Sequence, residues 1–284
     1  MRMYKLFHNR TQSNIFKEHY SMDEFNQLRD KVVEMGEYAC SSQKDIAVTY
    51  KNDGSVLTKT DLFISEELSK EIIRLFPDAN VISEESIFEF DDNKELTFII
   101  DPIDGTDVYS QGLPGWCISI GILNKKREPV GAMVYAPRWG LSKDDGLFLR
   151  LDPGGVMMMN NEVYVPRLVE RELEQLTMAS HAPKYVSMKK YMGKIRCFGS
   201  NILHMISPLI HSHIQGSLSV PCYVWDIAGA HALLQNQGFI TVYQDDAPFS
   251  YTDALLKERK MFPSILYSGT TEAVTTMKSL FSPT

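Results

Sequence analysis

Apolar residues recur at helical spacing in two segments near the start of the chain. In the first, a capping pair, Ser21 and Glu24, precedes a regular apolar series: Phe25, Leu28, Val32, Met35 and Ala39. This spacing predicts an amphipathic helix over residues 22–42. In the second, the series is Ile64, Leu68, Ile72 and Leu75. It predicts a helix capped by Thr60 or Asp61 and ended by Pro77.

Short runs of β-branched and aromatic residues follow, separated by turn-forming residues. They predict strands at 81–83, 96–100, 116–123 and 130–135. Beyond Pro166 strands and helices alternate, with strands predicted at 176–179, 195–198, 239–243 and 264–267. The turn Asp152-Pro153-Gly154-Gly155 is our predicted boundary, which gives an N-terminal half of residues 1–155 and a C-terminal half of 156–284.

Composition and charge exclude several classes of protein. The 284 residues are 44% hydrophobic and carry a formal net charge of −7, which predicts a globular protein without the basic face that nucleic acid requires. No apolar run reaches the length of a membrane span, and residues 1–20 lack a signal-peptide core, so we expect a cytoplasmic protein. The four cysteines form no Cys-x-x-Cys pair, which predicts free thiols rather than disulfides or a zinc site.

The segment from Asp101 to Thr106 reads Asp-Pro-Ile-Asp-Gly-Thr and directly follows a predicted buried strand. A pair of aspartates in such a turn is more often an Asx-turn than a metal site. Alternatively, one carboxylate bridges two hard cations and the other completes the shell of the second ion. Gly105 and Thr106 are predicted to begin a helix whose N–H groups hold a phosphate.

Three further segments have the same two interpretations. Glu84-Glu85 follows a strand and is either a solvated turn or a pair of metal ligands. Asp61 ends the segment that begins at Lys51, and Asp226 follows Trp225 at a predicted helix start. Each of these aspartates is either an N-cap or part of an acidic site.

Taken together, the four segments resemble the inositol monophosphatase superfamily of magnesium-dependent, lithium-sensitive phosphatases. Lys51 to Asp61 matches that family's Lys-x-Asp-Gly-Ser-x-x-Thr-x-x-Asp pattern, and Glu84-Glu85 follows at the matching place. Asp101 to Thr106 matches without a substitution, and Trp225 to Ala228 matches Trp-Asp-x-Ala. The resemblance spans about residues 22 to 282. It implies an α/β fold, a layered α-β-α-β-α sandwich of the type shared with fructose-1,6-bisphosphatase, and a homodimer.

The resemblance also implies roles for individual residues. Glu84, Asp101 and the carbonyl of Ile103 match ligands of a first Mg²⁺ ion; Asp101, Asp104 and Asp226 match ligands of a second, with a weaker third ion on Glu84. Thr106, polarised by Asp61, would position the attacking water, which makes Asp61, Thr106 and Glu84 the expected catalytic residues. The expected substrate contacts are Asp104, Gly105, Thr106, Gly199, Ser200, Asn201 and Asp226.

The substrate itself stays open at this point. Ser219 stands where inositol-specific members place a glutamate for the ring hydroxyls, and Asn201 stands where they carry a small residue. His231 matches a position where nucleotide bisphosphatases of the superfamily can also have histidine, although packing among the Ala and Leu residues of its helix explains it better. We therefore expect a small phosphorylated metabolite: a sugar or inositol monophosphate, or a 3'-phosphorylated nucleotide. A non-catalytic metal-binding protein with this fold is the alternative of another class, disfavoured because every expected acid is present.

Overall fold

Two helices begin the described part of the chain, which in a computed structural model comprises residues 21–44, 46–51, 54–140, 146–167 and 173–283. Helix α1, Met22–Ser42, starts at the predicted capping box, where the backbone N–H of Ser21 donates to Glu24 Oε2 at 2.9 Å. Helix α2 is Lys59–Leu75. Its cap is Thr58, so the predicted cap at Thr60 or Asp61 is wrong; the Asp61 carboxylate instead accepts the Thr58 N–H at 3.0 Å, as the acidic member of a second capping box.

A seven-stranded sheet packs against these helices. Its strands, in spatial order, are β3 Ala79–Ser83, β4 Leu96–Asp104, β5 Cys117–Asn124, β6 Pro129–Ala136, β7 Leu147–Leu151, β8 Met158–Met159 and β9 Glu162–Val163. β3 and β4 are parallel, and the later neighbours are antiparallel.

Strand β4 is longer than its sequence predicts, and the predicted end at Ile100 is wrong. Asp101 pairs with Ser119 and Asp104 with Cys117, with a register shift between the two pairs. This irregularity keeps both aspartates on the strand and lets them serve the same site. The sheet also extends beyond residue 155 into β8 and β9, and the division of the chain there stays a prediction.

The second sheet has five strands. In spatial order they are β12 Lys194–Arg196, β10 Gln175–Met178, β13 Gly216–Ser219, β15 Leu266–Gly269 and β14 Ile240–Tyr243. β12, β10 and β13 are parallel, whereas β15 is antiparallel to both of its neighbours. Sequence reasoning missed β13, because its segment Gly-Ser-Leu-Ser contains no β-branched or aromatic residue.

The helices complete five layers. α1 and α2 cover the outer face of the first sheet, and α4 Asn201–Ile210 and α5 Trp225–Asn236 lie between the sheets. α7 Thr271–Leu280 covers the outer face of the second sheet. Three apolar clusters fill the spaces between these layers. The predicted α-β-α-β-α sandwich is confirmed.

The remaining described elements are short. They are the hairpin of β1 Val48–Tyr50 and β2 Val56–Thr58, α3 Thr106–Ser110, the 3₁₀ turn Ala182–Lys184, β11 Val186–Ser187 paired with β16 Ser282–Pro283, and α6 Asp253–Leu256. Across the described part of the chain, every helix is too short or too polar to span a bilayer.

Close contact between α5 and β5 fixes where Asp226 lies. A Cβ atom on Gly121 of β5 would stand 2.5 Å from the Cβ of Ala228, so only glycine allows the helix to approach this closely. α5 also packs against β4 and β6. The first turn of α5 is thereby held beside the end of β4.

Candidate metal centre

Three carboxylates converge where β4 meets the start of α5. They belong to Asp101, Asp104 and Asp226, and one oxygen of each lies within 4.8 Å of one oxygen of the others. The first two are buried and the third is partly buried. Like charges this close oppose ionisation in a low-dielectric site, so the arrangement requires protons or a cation to offset them.

Asp101 has a buried carboxylate oxygen that suits a cation. Only 1% of the residue is exposed, and its Oδ1 has no hydrogen-bond partner among the described residues. Burial raises the pKa of Asp101 well above its ordinary value, and the negative charges of Glu84 and Asp104 add to this effect. A buried carboxylate oxygen without a donor is unfavourable alone and well suited to a hard cation.

Asp104 links the cluster to the start of α4. Its Oδ2 accepts the Ile202 N–H at 2.6 Å and the Ser200 hydroxyl, and its Oδ1 accepts the Asn201 N–H at 3.3 Å. Burial raises the pKa of Asp104 to about 7, and repulsion by Asp226 acts in the same direction, against the lowering effect of these hydrogen bonds.

Asp226 lies inside the first turn of α5 and is not its N-cap, because the cap residue is Val224. Its Oδ2 accepts the Tyr223 N–H at 2.7 Å, while its backbone carbonyl accepts the side-chain amide of Asn201 at 2.9 Å. Burial raises the pKa of Asp226 to about 6. Asn201 therefore connects the first turns of α4 and α5, which hold two of the three carboxylates in place.

Glu84 approaches from the loop after β3 and is paired with a lysine. Lys51 Nζ lies 2.6 Å from Glu84 Oε1 and 2.5 Å from Glu85 Oε1. Burial raises the pKa of Glu84 to about 8, with the Lys51 charge opposing and the charges of Glu85 and Asp226 reinforcing the shift. The Lys51 ammonium group is thus the positive charge that partly offsets the charge of Glu84 in this structure.

Behind the cluster, Asp61 and Thr106 form a hydrogen-bonded pair. Thr106 Oγ1 lies 3.0 Å from Asp61 Oδ1 and 2.9 Å from the carbonyl oxygen of Ile103, so its single proton has two acceptors. Asp61 is fully buried, and burial raises its pKa to about 6 against the hydrogen bonds from Thr58 and Thr106. The hydroxyl groups of Thr58 and Thr106 both lie within hydrogen-bond distance of the Asp61 carboxylate, which favours its ionised form.

Gly105 has the backbone conformation that the turn into α3 requires. Its φ is +96°, and an added Cβ would lie 3.0 Å from the carbonyl oxygen of Gly115. Glycine alone tolerates both conditions. The helix begins at Thr106, as the sequence predicts.

A cavity of about 520 Å³ opens onto these residues. Of the expected site residues, it is lined by Glu84, Asp101, Ile103, Asp104, Gly105, Thr106, Gly199, Asn201 and Asp226. Asp61 and Ser200 lie behind it, in contact with Thr106 and Asp104. A larger groove of about 850 Å³ at the start of α1 is mainly apolar, and its one aspartate, Asp152, is paired with Arg150 at 2.7 Å.

The second half of the chain contributes cavity residues that sequence reasoning did not identify. These are Ala179, Ser180, His181, Cys197, His204, Val220, Pro221 and Cys222. His231 is elsewhere: it is buried in α5, and its Nδ1 lies 3.0 Å from the Tyr251 hydroxyl. Ser219 is buried and is not among the cavity residues. Packing therefore accounts for His231.

The layered fold and the buried acidic cluster together define the class of metal-dependent phosphatases. Residues 21–275 match the profile of the inositol monophosphatase family, so the chain belongs to that family of phosphoric monoester hydrolases. The family is metal-dependent, and the acidic cluster is suited to bind metal.

The relatives of this chain include proteins named for two kinds of phosphatase activity. The chain is 28% identical to the 3'(2'),5'-bisphosphate nucleotidase CysQ of Haemophilus influenzae, over 68% of this chain and 73% of the relative. It is 26% identical to the inositol monophosphatase of Dictyostelium discoideum, over 79% of this chain and 86% of the relative. An inositol monophosphatase from Thermotoga maritima has the same fold, with a TM-score of 0.75 at 21% identity over 91% of this chain and 96% of that one.

Proposed function

We propose that this chain is a Mg²⁺-dependent phosphatase that hydrolyses a small phosphate monoester by in-line attack of water. The observation that carries the proposal is the Asp101–Asp104–Asp226 cluster, with its unpartnered buried Asp101 oxygen, at the base of a cavity. Carboxylate and carbonyl oxygens are the ligands that Mg²⁺ prefers. Two or three ions would neutralise charges that otherwise repel one another.

The residues present suit such ions. Glu84, Asp101 and the carbonyl of Ile103 would hold one, and Asp104 and Asp226 would hold another together with Asp101. When bound, the ions supply Lewis acidity, which activates water and stabilises the developing negative charge on the phosphate and leaving group. All of these ligand residues line the cavity, where the phosphate would bind.

Thr106 and Asp61 act on the attacking water. When the Thr106 hydroxyl donates its hydrogen bond to the Asp61 carboxylate rather than to the Ile103 carbonyl, the lone pairs of the threonine oxygen are free to accept a hydrogen bond from water. Burial of Asp61 behind Thr106 fixes this orientation. The pair thus aligns the water, a function that depends on geometry more than on proton transfer.

The residues expected to contact the substrate divide into those that hold the acids in place and those that line the cavity. Ser200 and Asn201 are occupied by Asp104 and by the Asp226 carbonyl, so we assign them to holding these acids in place. Gly105, Thr106 and Gly199 line the cavity, where the first two would contact the phosphate.

Two substrate classes remain as candidates, and the first is a sugar or inositol monophosphate. The second is a 3'-phosphorylated nucleotide, favoured by the similarity to CysQ. Phosphate release from inositol 1-phosphate, fructose bisphosphate, NADP and adenosine 3',5'-bisphosphate, each with and without Mg²⁺ and Li⁺, distinguishes them. We expect Mg²⁺-dependent, Li⁺-inhibited release from at least one ester; release from none refutes the proposal.

We also propose a cytoplasmic homodimer. The four free cysteines suit a reducing compartment. Dimerisation follows from the family resemblance alone, and sedimentation equilibrium tests it: a single species of monomer mass contradicts it.

A further inference from the structure

The loop after α6 contacts the two segments that carry the proposed metal ligands Glu84 and Asp226. We define the α6 loop as residues 257–262. Within it Arg259 has a φ of +53°, in the left-handed region that non-glycine residues seldom adopt. A conformation of this kind is unfavourable by itself and persists where surrounding contacts fix it. Backbone hydrogen bonds to α6 hold both neighbours of Arg259, and the Arg259 side chain makes its contacts with two segments of the candidate site.

The guanidinium group of Arg259 binds the backbone around Glu84. Its Nη2 donates to the carbonyl oxygens of Ser83 and Glu84, both at 2.8 Å, and its Nη1 donates to that of Ser86 at 3.0 Å. The turn that carries Glu84 is thus held by three charge-assisted hydrogen bonds from one side chain.

The same group rests on the start of α5. The guanidinium carbon of Arg259 lies 4.7 Å from the ring centroid of Trp225, the residue directly before Asp226. Farther along the α6 loop, the Phe262 N–H donates to the carbonyl of Cys222 at 3.1 Å. The loop therefore spans the distance between the Glu84 turn and the segment that leads into Asp226.

We propose that Arg259 is a positioning residue that holds Glu84 in register with Asp226, so that both reach the ions together. This proposal rests on the proposed function. Glu84 is the one expected ligand carried by neither β4 nor α5: its backbone N–H donates to the Ile100 carbonyl of β4 at 3.2 Å, but among the described residues its carboxylate is paired only with the flexible side chain of Lys51. Groups that orient metal ligands commonly change metal affinity about 10- to 100-fold when removed.

Lysine cannot replace arginine in this role. The planar guanidinium places several N–H donors in fixed directions, whereas an ammonium on a flexible stem cannot bind three separated carbonyls and stack on an indole together. Arg259→Lys therefore retains the charge and loses the geometry.

Arg127 offers a matched control. It too has a left-handed φ, +62°, and its partners among the described residues are Asp92, Asp253, the Tyr251 carbonyl and the Phe90 ring. It shares Asp92 and Asp253 with Lys257 of the α6 loop, but in the described structure it has no contact with the Glu84 turn. Arg127→Gln consequently tests the loss of a neighbouring arginine of this kind that does not bind the Glu84 turn.

The experiment measures Mn²⁺ binding to chelator-stripped protein through the EPR signal of free Mn²⁺, for wild type, Arg259→Gln, Arg259→Lys and Arg127→Gln. Circular dichroism and thermal unfolding establish that each variant is folded. We expect Arg259→Gln to bind Mn²⁺ about 10- to 100-fold more weakly, Arg259→Lys to be intermediate, and Arg127→Gln to match wild type. At saturating Mn²⁺, the turnover of Arg259→Gln should largely recover.

Wild-type affinity in folded Arg259→Gln overturns the proposal, as does equal weakening in Arg127→Gln. If Arg259→Gln does not fold, Arg259→Lys decides: weaker binding supports the role and unchanged binding overturns it. Wild-type protein that binds no Mn²⁺ refutes the proposed function itself and removes the basis for Arg259 as well.

Discussion

Replacing Asp104 by asparagine separates the chemical role of this residue from its structural one. The carboxylate accepts the Ile202 N–H at 2.6 Å, the Asn201 N–H at 3.3 Å and the Ser200 hydroxyl. In the variant, the amide oxygen can keep the short bond to Ile202, while the NH₂ group faces the Asn201 N–H. The change therefore removes the weakest of these bonds and the charge that assists the others.

Asp104→Asn should lower the free energy of unfolding only slightly. Losing one long hydrogen bond and some charge assistance destabilises by about 1–2 kcal/mol. In metal-free protein, relief of the repulsion between Asp104 and Asp226, which contributes to the raised pKa of Asp104, offsets part of this cost. We expect the free energy of unfolding of the metal-free variant to lie within about 2 kcal/mol of the wild-type value.

The cost to catalysis is much larger. Loss of a charged ligand removes several kcal/mol of transition-state stabilisation, and about 3–4 kcal/mol corresponds to a 10²- to 10³-fold slower reaction. Steady-state phosphate release and urea unfolding, measured on the same preparations, give both quantities. Asp78→Asn, an exposed substitution of the same kind, is the control and should change neither. Activity within about threefold of wild type in Asp104→Asn would refute the assignment.

Three further outcomes are expected. Thr106→Val should lower kcat about 10²-fold while Thr106→Ser retains most activity, because only the hydroxyl bonds Asp61; equal kcat values in the two variants would contradict this. Burial raises the pKa of Glu84 to about 8 and of Asp104 to about 7, so the folded metal-free protein holds protons that the unfolded chain has already released. Its melting temperature should therefore decrease as the pH is raised from about 5 to about 8, and Mg²⁺ should restore it at pH 8. A melting temperature that increases with pH in the presence of chelator would count against the raised pKa values. Gly105→Ala should destabilise the protein by about 1–2 kcal/mol in thermal unfolding, since its φ is +96°, and a neutral effect would show that the turn adapts.

Local patterns predicted the elements that depend on local interactions. The capping box of Ser21 and Glu24 and the apolar series after it specify α1 without reference to the remainder of the chain. The end of β4 is different, because Asp-Pro-Ile-Asp has no strand pattern and is held extended only by pairing with β5. The extended conformation of this segment therefore depends on residues of β5 and has no signal in its own sequence.

The candidate site divides in the same way. The acids could be found from the sequence, because their residue types and order match a family pattern. Their supports could not: the hydrogen bonds from α4 to Asp104 and the contacts of Arg259 join positions far apart in the chain. Such contacts follow from the packing of layers and have no local signal.

The most direct test of the central claim is the metal dependence of phosphate release. Wild-type protein is stripped with chelator and titrated with Mg²⁺ on the best ester of the panel, beside Asp101→Asn. We predict no release before Mg²⁺, saturable release after it, and at least about 10²-fold slower release in Asp101→Asn. Release that is insensitive to chelator, or that proceeds at the wild-type rate in Asp101→Asn, would contradict a phosphatase centred on these carboxylates.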